Sequence, residues 1–211
     1  GGVQDFINAM RKHKEHTGVQ DAGCGVLCNV GVVAGHKEGI AKCGGVGVVL
    51  DALREHPKHS AVQKQGLSAL RMLAVNEQIA LDIASADGIQ VVVGAMRTHP
   101  ANVKVQQRAC RALLQIGLSD AGVQRRMKEA GVVALVEAAV RAPNATSKCR
   151  DKGQELLVKL RSTRKEEMDV LKFHEQVHEL QEEGDINNIL AHMRRLLSHR
   201  IVQQLGCAAL K

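Results

Sequence analysis

Val19-Gln20-Asp21-Ala22-Gly23-Cys24, Val62-Gln63-Lys64-Gln65-Gly66-Leu67 and Val105-Gln106-Gln107-Arg108-Ala109-Cys110 are one phrase written three times, at a step of 43 residues. A second phrase keeps the same step: Gly2-Val3, Gly45-Val46, Gly88-Ile89 and Gly131-Val132. The three prolines, Pro57, Pro100 and Pro143, fall on it too. A period of this length marks a helical solenoid, whose units bury their apolar faces only by stacking on one another. The expected fold is all-α, with one continuous domain over residues 1–211.

Inside one unit the apolar spacing is helical. Val46, Val49, Leu50 and Leu53 recur at i, i+3, i+4 and i+7, one face of a helix. His56-Pro57 ends it, because proline disfavours a helical residue before it and lacks the next backbone donor. A second helix is predicted from Ser60, carrying Val62, Gly66, Leu67, Leu70 and Leu73. A shorter helical segment, Asn76 to Ala86, runs to a break at Asp87-Gly88, where the glycine is expected to take a positive φ. Each unit thus reads as a short, a medium and a long helix. His13, His56 and His99 recur at helix ends and are expected to cover the free carbonyls of those ends.

Three helices of this length with a glycine corner resemble the armadillo repeat. Gly44-Gly45-Val46 and Ala130-Gly131-Val132-Val133 match the family's corner. Gly23-Cys24-Gly25-Val26-Leu27-Cys28-Asn29-Val30 and Ala109-Cys110-Arg111-Ala112-Leu113-Leu114 match its third-helix line. The wording around Ala95-Met96-Arg97-Thr98-His99 is also similar to the armadillo units that precede leucine-rich-repeat kinases and to those of protist proteins. The resemblance covers the whole chain and implies a right-handed α-solenoid superhelix, four repeats plus part of a fifth. From Lys148, taken as the equivalent of Val105, the next Val-Gln phrase arrives late, at Val202-Gln203. The surplus falls in a charged amphipathic stretch at 162–184, read as a lengthened first helix of the fifth unit.

Composition narrows the class further. Apolar residues make up 45% of the chain but aromatics only 1%, so small and branched side chains must fill the core. No apolar run reaches the ~18 residues that span a bilayer. Six cysteines include no Cys-x-x-Cys pair, and Cys24, Cys110 and Cys207 share a phase. They read as reduced core thiols, which suits a cytoplasmic or nuclear setting. The net charge of +7 is uneven: residues 141–165 are basic and residues 166–185 acidic. A basic block of this kind raises nucleic-acid or anionic-surface binding as a rival function. Against nucleic acid, the chain has no Trp or Tyr for base stacking. Phe6 and Ile7 at one end, and Ile201, Val202 and Leu205 at the other, lack polar caps. That pattern leads to the expectation of a segment of a longer array or complex.

His174-Glu175-Gln176-Val177-His178 spells the His-Glu-x-x-His pattern of zinc hydrolases. Glu179 and Gln181 break the pattern's surroundings, so no metal, cofactor or enzymatic activity is expected. The functional candidate is a surface. In armadillo proteins the third helices line a concave groove, where Trp and Asn ladders hold an extended peptide. By the resemblance the Trp places fall here on Gly25, Ser68, Arg111 and Gln154, and the Asn places on Asn29, Met72, Gln115 and Val158. Only Asn29 keeps the family residue. Lys64, Arg71, Arg108, Arg111, Gln115 and Arg150, with Asn29, are the candidate binding residues. Arginine forks favour carboxylates and phosphates, so the expected partner is a protein segment, extended or helical, of acidic character.

Overall fold

The chain folds locally into helices because its apolar residues return every three to four positions, between capping side chains. The computed structural model describes residues 2–33, 35–118 and 120–161. By compactness the chain divides into Gly1–Leu160 and Arg161–Lys211. The expected lengthened helix at 162–184 and the fifth unit lie outside the described residues.

The described residues are all-helical. In order they are α1 (Gly2–Lys12), α2 (Thr17–Val30), α3 (His36–Lys42), α4 (Gly45–Glu55), α5 (Ser60–Leu73), α6 (Glu77–Ser85), α7 (Gly88–Thr98), α8 (Val103–Ile116), α9 (Ala121–Glu129) and α10 (Val132–Arg141). Residues 147–161 are also helical and are called α11. The short, medium and long order expected from sequence is α3, α4, α5 and again α6, α7, α8. The bounds of α4 and α7, and of α5 and α8, are related by 43 residues at both ends.

Capping explains where these helices start. The side chains of Asn76, Asn102 and Asp120 accept hydrogen bonds from the backbone N–H of Ile79 (3.1 Å), Val105 (3.2 Å) and Val123 (2.6 Å). Each satisfies one of the orphan donors of a first turn. At the corners before α4, α7 and α10 the positive-φ residues are Gly44, Asp87 and Gly131. The expectation for Gly88 is therefore corrected: Asp87 turns the corner at φ 60°, and Gly88 is the first residue of α7. Glycine is needed at 88 for another reason. A Cβ there would come within 2.5 Å of the Ile83 carbonyl oxygen.

The long helices stack: α2 packs on α5, and α5 on α8. A second row runs α1, α4, α7, α10, and each of its helices also packs on the long helix that follows it where that helix is α2, α5 or α8. The core lies between the rows. In α5 the buried positions include Val62, Gly66, Ala69, Leu70 and Leu73; in α8 they include Val105, Ala109, Ala112, Leu113 and Ile116. In α11 the buried set is Cys149, Gly153, Leu156, Leu157 and Leu160. That set matches α8 at a step of 44, not 43. Three residues separate α5 from α6, but four separate α8 from α9. The true equivalent of Val105 is thus Cys149 rather than Lys148. Leu157 is the partner of Leu70 and Leu113, while Leu156, also buried, shares the phase of Ala69 and Ala112.

The glutamine of each phrase has a single role. The Gln20 side-chain amide donates to the carbonyls of Met10 (3.0 Å) and His13 (2.8 Å). Gln63 does the same to Leu53 (2.8 Å) and His56 (3.0 Å), and Gln106 to Met96 (2.9 Å) and His99 (2.8 Å). All three side chains are buried. They answer the carbonyls where one helix ends and the next begins: those of Met10, Leu53 and Met96, and those of His13, His56 and His99, which also accept a turn bond from the His16, His59 and Asn102 N–H. The expectation that His56 and His99 cover their own helix ends is corrected accordingly. The His56 Nε2–H donates to the Lys14 carbonyl (2.6 Å) and the His99 Nε2–H to the Pro57 carbonyl (2.7 Å), each 42 residues back. These histidines tie neighbouring helix triplets together.

Arginines add links in the other direction. Arg11 donates to the Cys43 carbonyl (3.2 Å) and Arg54 to the Ala86 carbonyl (2.7 Å), each 32 residues ahead.

Two predictions test this packing. Leu113→Ala opens a cavity in a fully buried site and is expected to cost about 2–5 kcal/mol in chemical denaturation; a variant that melts with the parent refutes the register. Gln63→Met keeps the side-chain length but leaves the Leu53 carbonyl unanswered and takes one of two donors from the His56 carbonyl. It is expected to cost about 1–3 kcal/mol, read as a lower denaturation midpoint at unchanged helical circular dichroism.

Candidate anion-binding recess

The helical repeat of α8 winds residues 104, 107, 108 and 111 onto one face. On the stacked α5, residues 65, 68 and 71 lie on the matching face, and Cys28 and Asn29 end the facing part of α2. These nine residues line one open recess of about 320 Å³. Its lining carries Arg71, Lys104, Arg108 and Arg111 and no carboxylate. The remaining members are the polar side chains of Asn29, Gln65, Ser68 and Gln107, and Cys28.

The three arginines are half-buried, and they are not equivalent. Arg108 is fixed. Its Nη1 donates to the Lys64 carbonyl (2.7 Å), to Ser68 Oγ (2.6 Å) and to Gln65 Oε1 (3.1 Å), all on α5. Ser68 Oγ in turn donates to the same Lys64 carbonyl (3.0 Å). Arg71 and Arg111 have no hydrogen bond or ion pair with any described residue. Gln107, at the edge, accepts from the Thr146 hydroxyl (3.2 Å), whose oxygen also caps α11 at the Cys149 N–H (3.1 Å).

The electrostatics follow from this crowding. Burial first, and then the like charges of Arg71 and Arg108, hold the Arg111 guanidinium below its ordinary pKa. Burial pushes the Cys28 thiol up, against the opposing pull of Arg71 and Arg108. Deeper in α2, the Cys24 thiol is pushed up to about 12, by burial, then by Asp21 and Cys28. The cysteines among the described residues are free thiols, and these two are poor nucleophiles because their thiolates are disfavoured.

The positive charge ends toward α2, which carries Asp21 and no lysine or arginine, whereas in α11 Lys148, Arg150 and Lys152 stand beside Asp151 and Glu155. The row of Lys64 reads Asp21, Lys64, Gln107, Asp151 from α2 to α11, with acids at both ends. The row of Arg111 reads Gly25, Ser68, Arg111, Glu155, and Glu155 is bound to Lys152 at 2.7 Å. The one-residue shift before α9 therefore moves the α11 ladder places from Gln154 and Val158 to Glu155 and Lys159. In the basic block, Arg141 is likewise paired, with Glu137 at 3.3 Å.

Four of the seven residues singled out from sequence, Asn29, Arg71, Arg108 and Arg111, are brought together in the recess. Lys64 contributes its carbonyl, as the anchor of Arg108, and its side chain is not in the lining. Gln115 is half-buried in the last turn of α8, and Arg150 is exposed on α11; neither lines the recess. Lys104, Gln107 and Gln65 were missed, although the spacing 104, 107, 108, 111 is itself a helical face and was readable. His174 and His178 lie outside the described residues, as do residues 162–165 of the basic block. Among the described residues no group of three or more His, Cys, Asp and Glu side chains is placed to hold a metal ion. Nor is any single helix among them long and apolar enough to cross a membrane.

No known family profile matches the chain, and no curated protein matches it. A crystal structure of an engineered protein is similar in fold, with a TM-score of 0.66 and 23% identity over 77% of this chain. The match spans 64% of the engineered protein's length. An identity this low carries the all-helical fold and nothing about function.

If the recess concentrates unneutralised charge, screening should stabilise it. Thermal stability of the parent is expected to rise between about 0.01 M and 0.5 M NaCl. Arg111→Gln is expected to flatten that dependence and to be no less stable at the low-salt end. An identical salt slope in the two proteins contradicts the electrostatic picture.

Proposed function

We propose that the chain is an armadillo-type right-handed α-solenoid of about 43-residue three-helix repeats. In this reading it acts as a non-enzymatic scaffold that binds an acidic protein segment along the face of its third helices. The recurrence of helix bounds and the stacking of α2, α5 and α8 support the fold. The observation that carries the function is the recess: four cations from two stacked helices, no acid among them, and two guanidinium forks without protein partners. An exposed salt-bridge network would have satisfied these groups internally; here a ligand carboxylate or phosphate can do so. A rigid curved array presents such rows to an extended or helical partner without reorganising.

Fluorescence anisotropy with a labelled glutamate-rich peptide tests this. Arg71 and Arg111 are the residues to reverse, because reversing Arg108 would also break its anchor on α5. Arg71→Glu with Arg111→Glu is expected to weaken binding by about a hundredfold or more, at unchanged helical circular dichroism. Unaltered affinity would place the binding surface elsewhere on the chain and defeat the reading.

A further inference from the structure

We propose that the ligand group of the recess is a phosphorylated side chain, a phosphoserine or phosphothreonine of the partner segment, rather than a run of carboxylates. The inference rests on the scaffold reading above and deepens it. A carboxylate brings one negative charge and two oxygens. A phosphorylated side chain brings about −1.5 to −2 charges and three strong acceptor oxygens to a single point. The recess gathers three guanidiniums into one concavity. Arg71 reaches it from α5, and Arg108 and Arg111 reach it from α8 one helical turn apart. Lys104 is a fourth cation on its rim.

Preorganisation favours the same occupant. Arg108 is held through Nη1 by the Lys64 carbonyl, Ser68 and Gln65, which fixes the plane of its guanidinium and leaves its remaining N–H groups to a ligand. Two free forks beside one fixed fork suit the three oxygens of a tetrahedral phosphate better than a planar carboxylate. The α2 side argues against an extended polyanion. Beyond the recess α2 carries Asp21 and no lysine or arginine. A nucleic-acid backbone or an acidic tract that continued in that direction would meet like charge and no cation. A membrane surface is disfavoured because the three guanidiniums are half-buried in a concavity rather than raised on a face.

Three immobilised peptide pools test this, identical at their degenerate flanks and carrying phosphoserine, glutamate or serine at the centre. The phosphoserine pool is expected to retain the protein about tenfold or more tightly than the glutamate pool, and the serine pool not at all. Arg71→Gln with Arg111→Gln should remove most of that preference. Arg111→Lys, which keeps the charge but not the fork, should lose part of it. Inorganic phosphate at millimolar concentration should compete. Equal retention by the glutamate and phosphoserine pools overturns the phosphate inference while leaving the scaffold reading intact. Retention by neither pool, together with failure of the glutamate-rich peptide, overturns both. Co-sedimentation with vesicles containing phosphoinositides, dependent on Arg71 and Arg111 and without phosphoserine-pool retention, assigns the recess to a lipid headgroup and overturns the inference.

Discussion

The long helices α2, α5 and α8 each depend on a buried glutamine that answers the end of the helix before it. A helix terminus buried against its successor would strand carbonyls away from water, at a cost comparable to the net worth of several hydrogen bonds. Gln20, Gln63 and Gln106 each supply two donors to that place, at separations of ten and seven residues. This fixes the angle at which the long helix leaves the medium one. It also frees the terminal histidines to reach the preceding triplet. In α11 the equivalent position is Arg150, exposed, and the nearest counterpart is the weak contact of Cys149 Sγ with the Ala139 carbonyl at 4.0 Å. The chemistry of the junction changes there.

Much of the fold was legible because its signals are local. Ser60 does begin α5, and Asn76 and Ala86 do flank α6 as caps. The apolar faces of α4 and α5 needed only the helical period. What escaped was anything that depends on a single added residue. The phrase Gly131-Val132 keeps the 43-residue step in letters, yet Gly131 occupies the corner conformation held by Gly44 and Asp87. The extra loop residue before Asp120 is invisible to a reading anchored on that phrase. The ladder places in α11 consequently slip by one, from Gln154 to Glu155, which puts an acid where a neutral amide was expected.

The recess was legible in part for the same reason. Arg71, Arg108 and Arg111 stand out as cations on third helices, and helical geometry brings Lys104 and Gln107 beside them. Sequence could not separate their roles. Only the stacked α5 reveals that Arg108 is held by Lys64, Gln65 and Ser68, whereas Arg71 and Arg111 are left without partners. Arg150, chosen because it falls on or beside the ladder rows, sits a triplet away, because periodicity does not encode which helix faces share a cavity.

The links between successive triplets have a consequence for how such a chain can change over generations. Arg11, Arg54, His56, His99 and Arg108 all bind main-chain carbonyls of a neighbour: Cys43, Ala86, Lys14, Pro57 and Lys64. A carbonyl is offered by every amino acid, so apart from the added contacts of Arg108 with Gln65 and Ser68 these joints make no demand on the side chain at the receiving position. A duplicated or substituted unit can dock without a matched mutation in its neighbour. The joint stays constant while the lining of the recess is left open to variation.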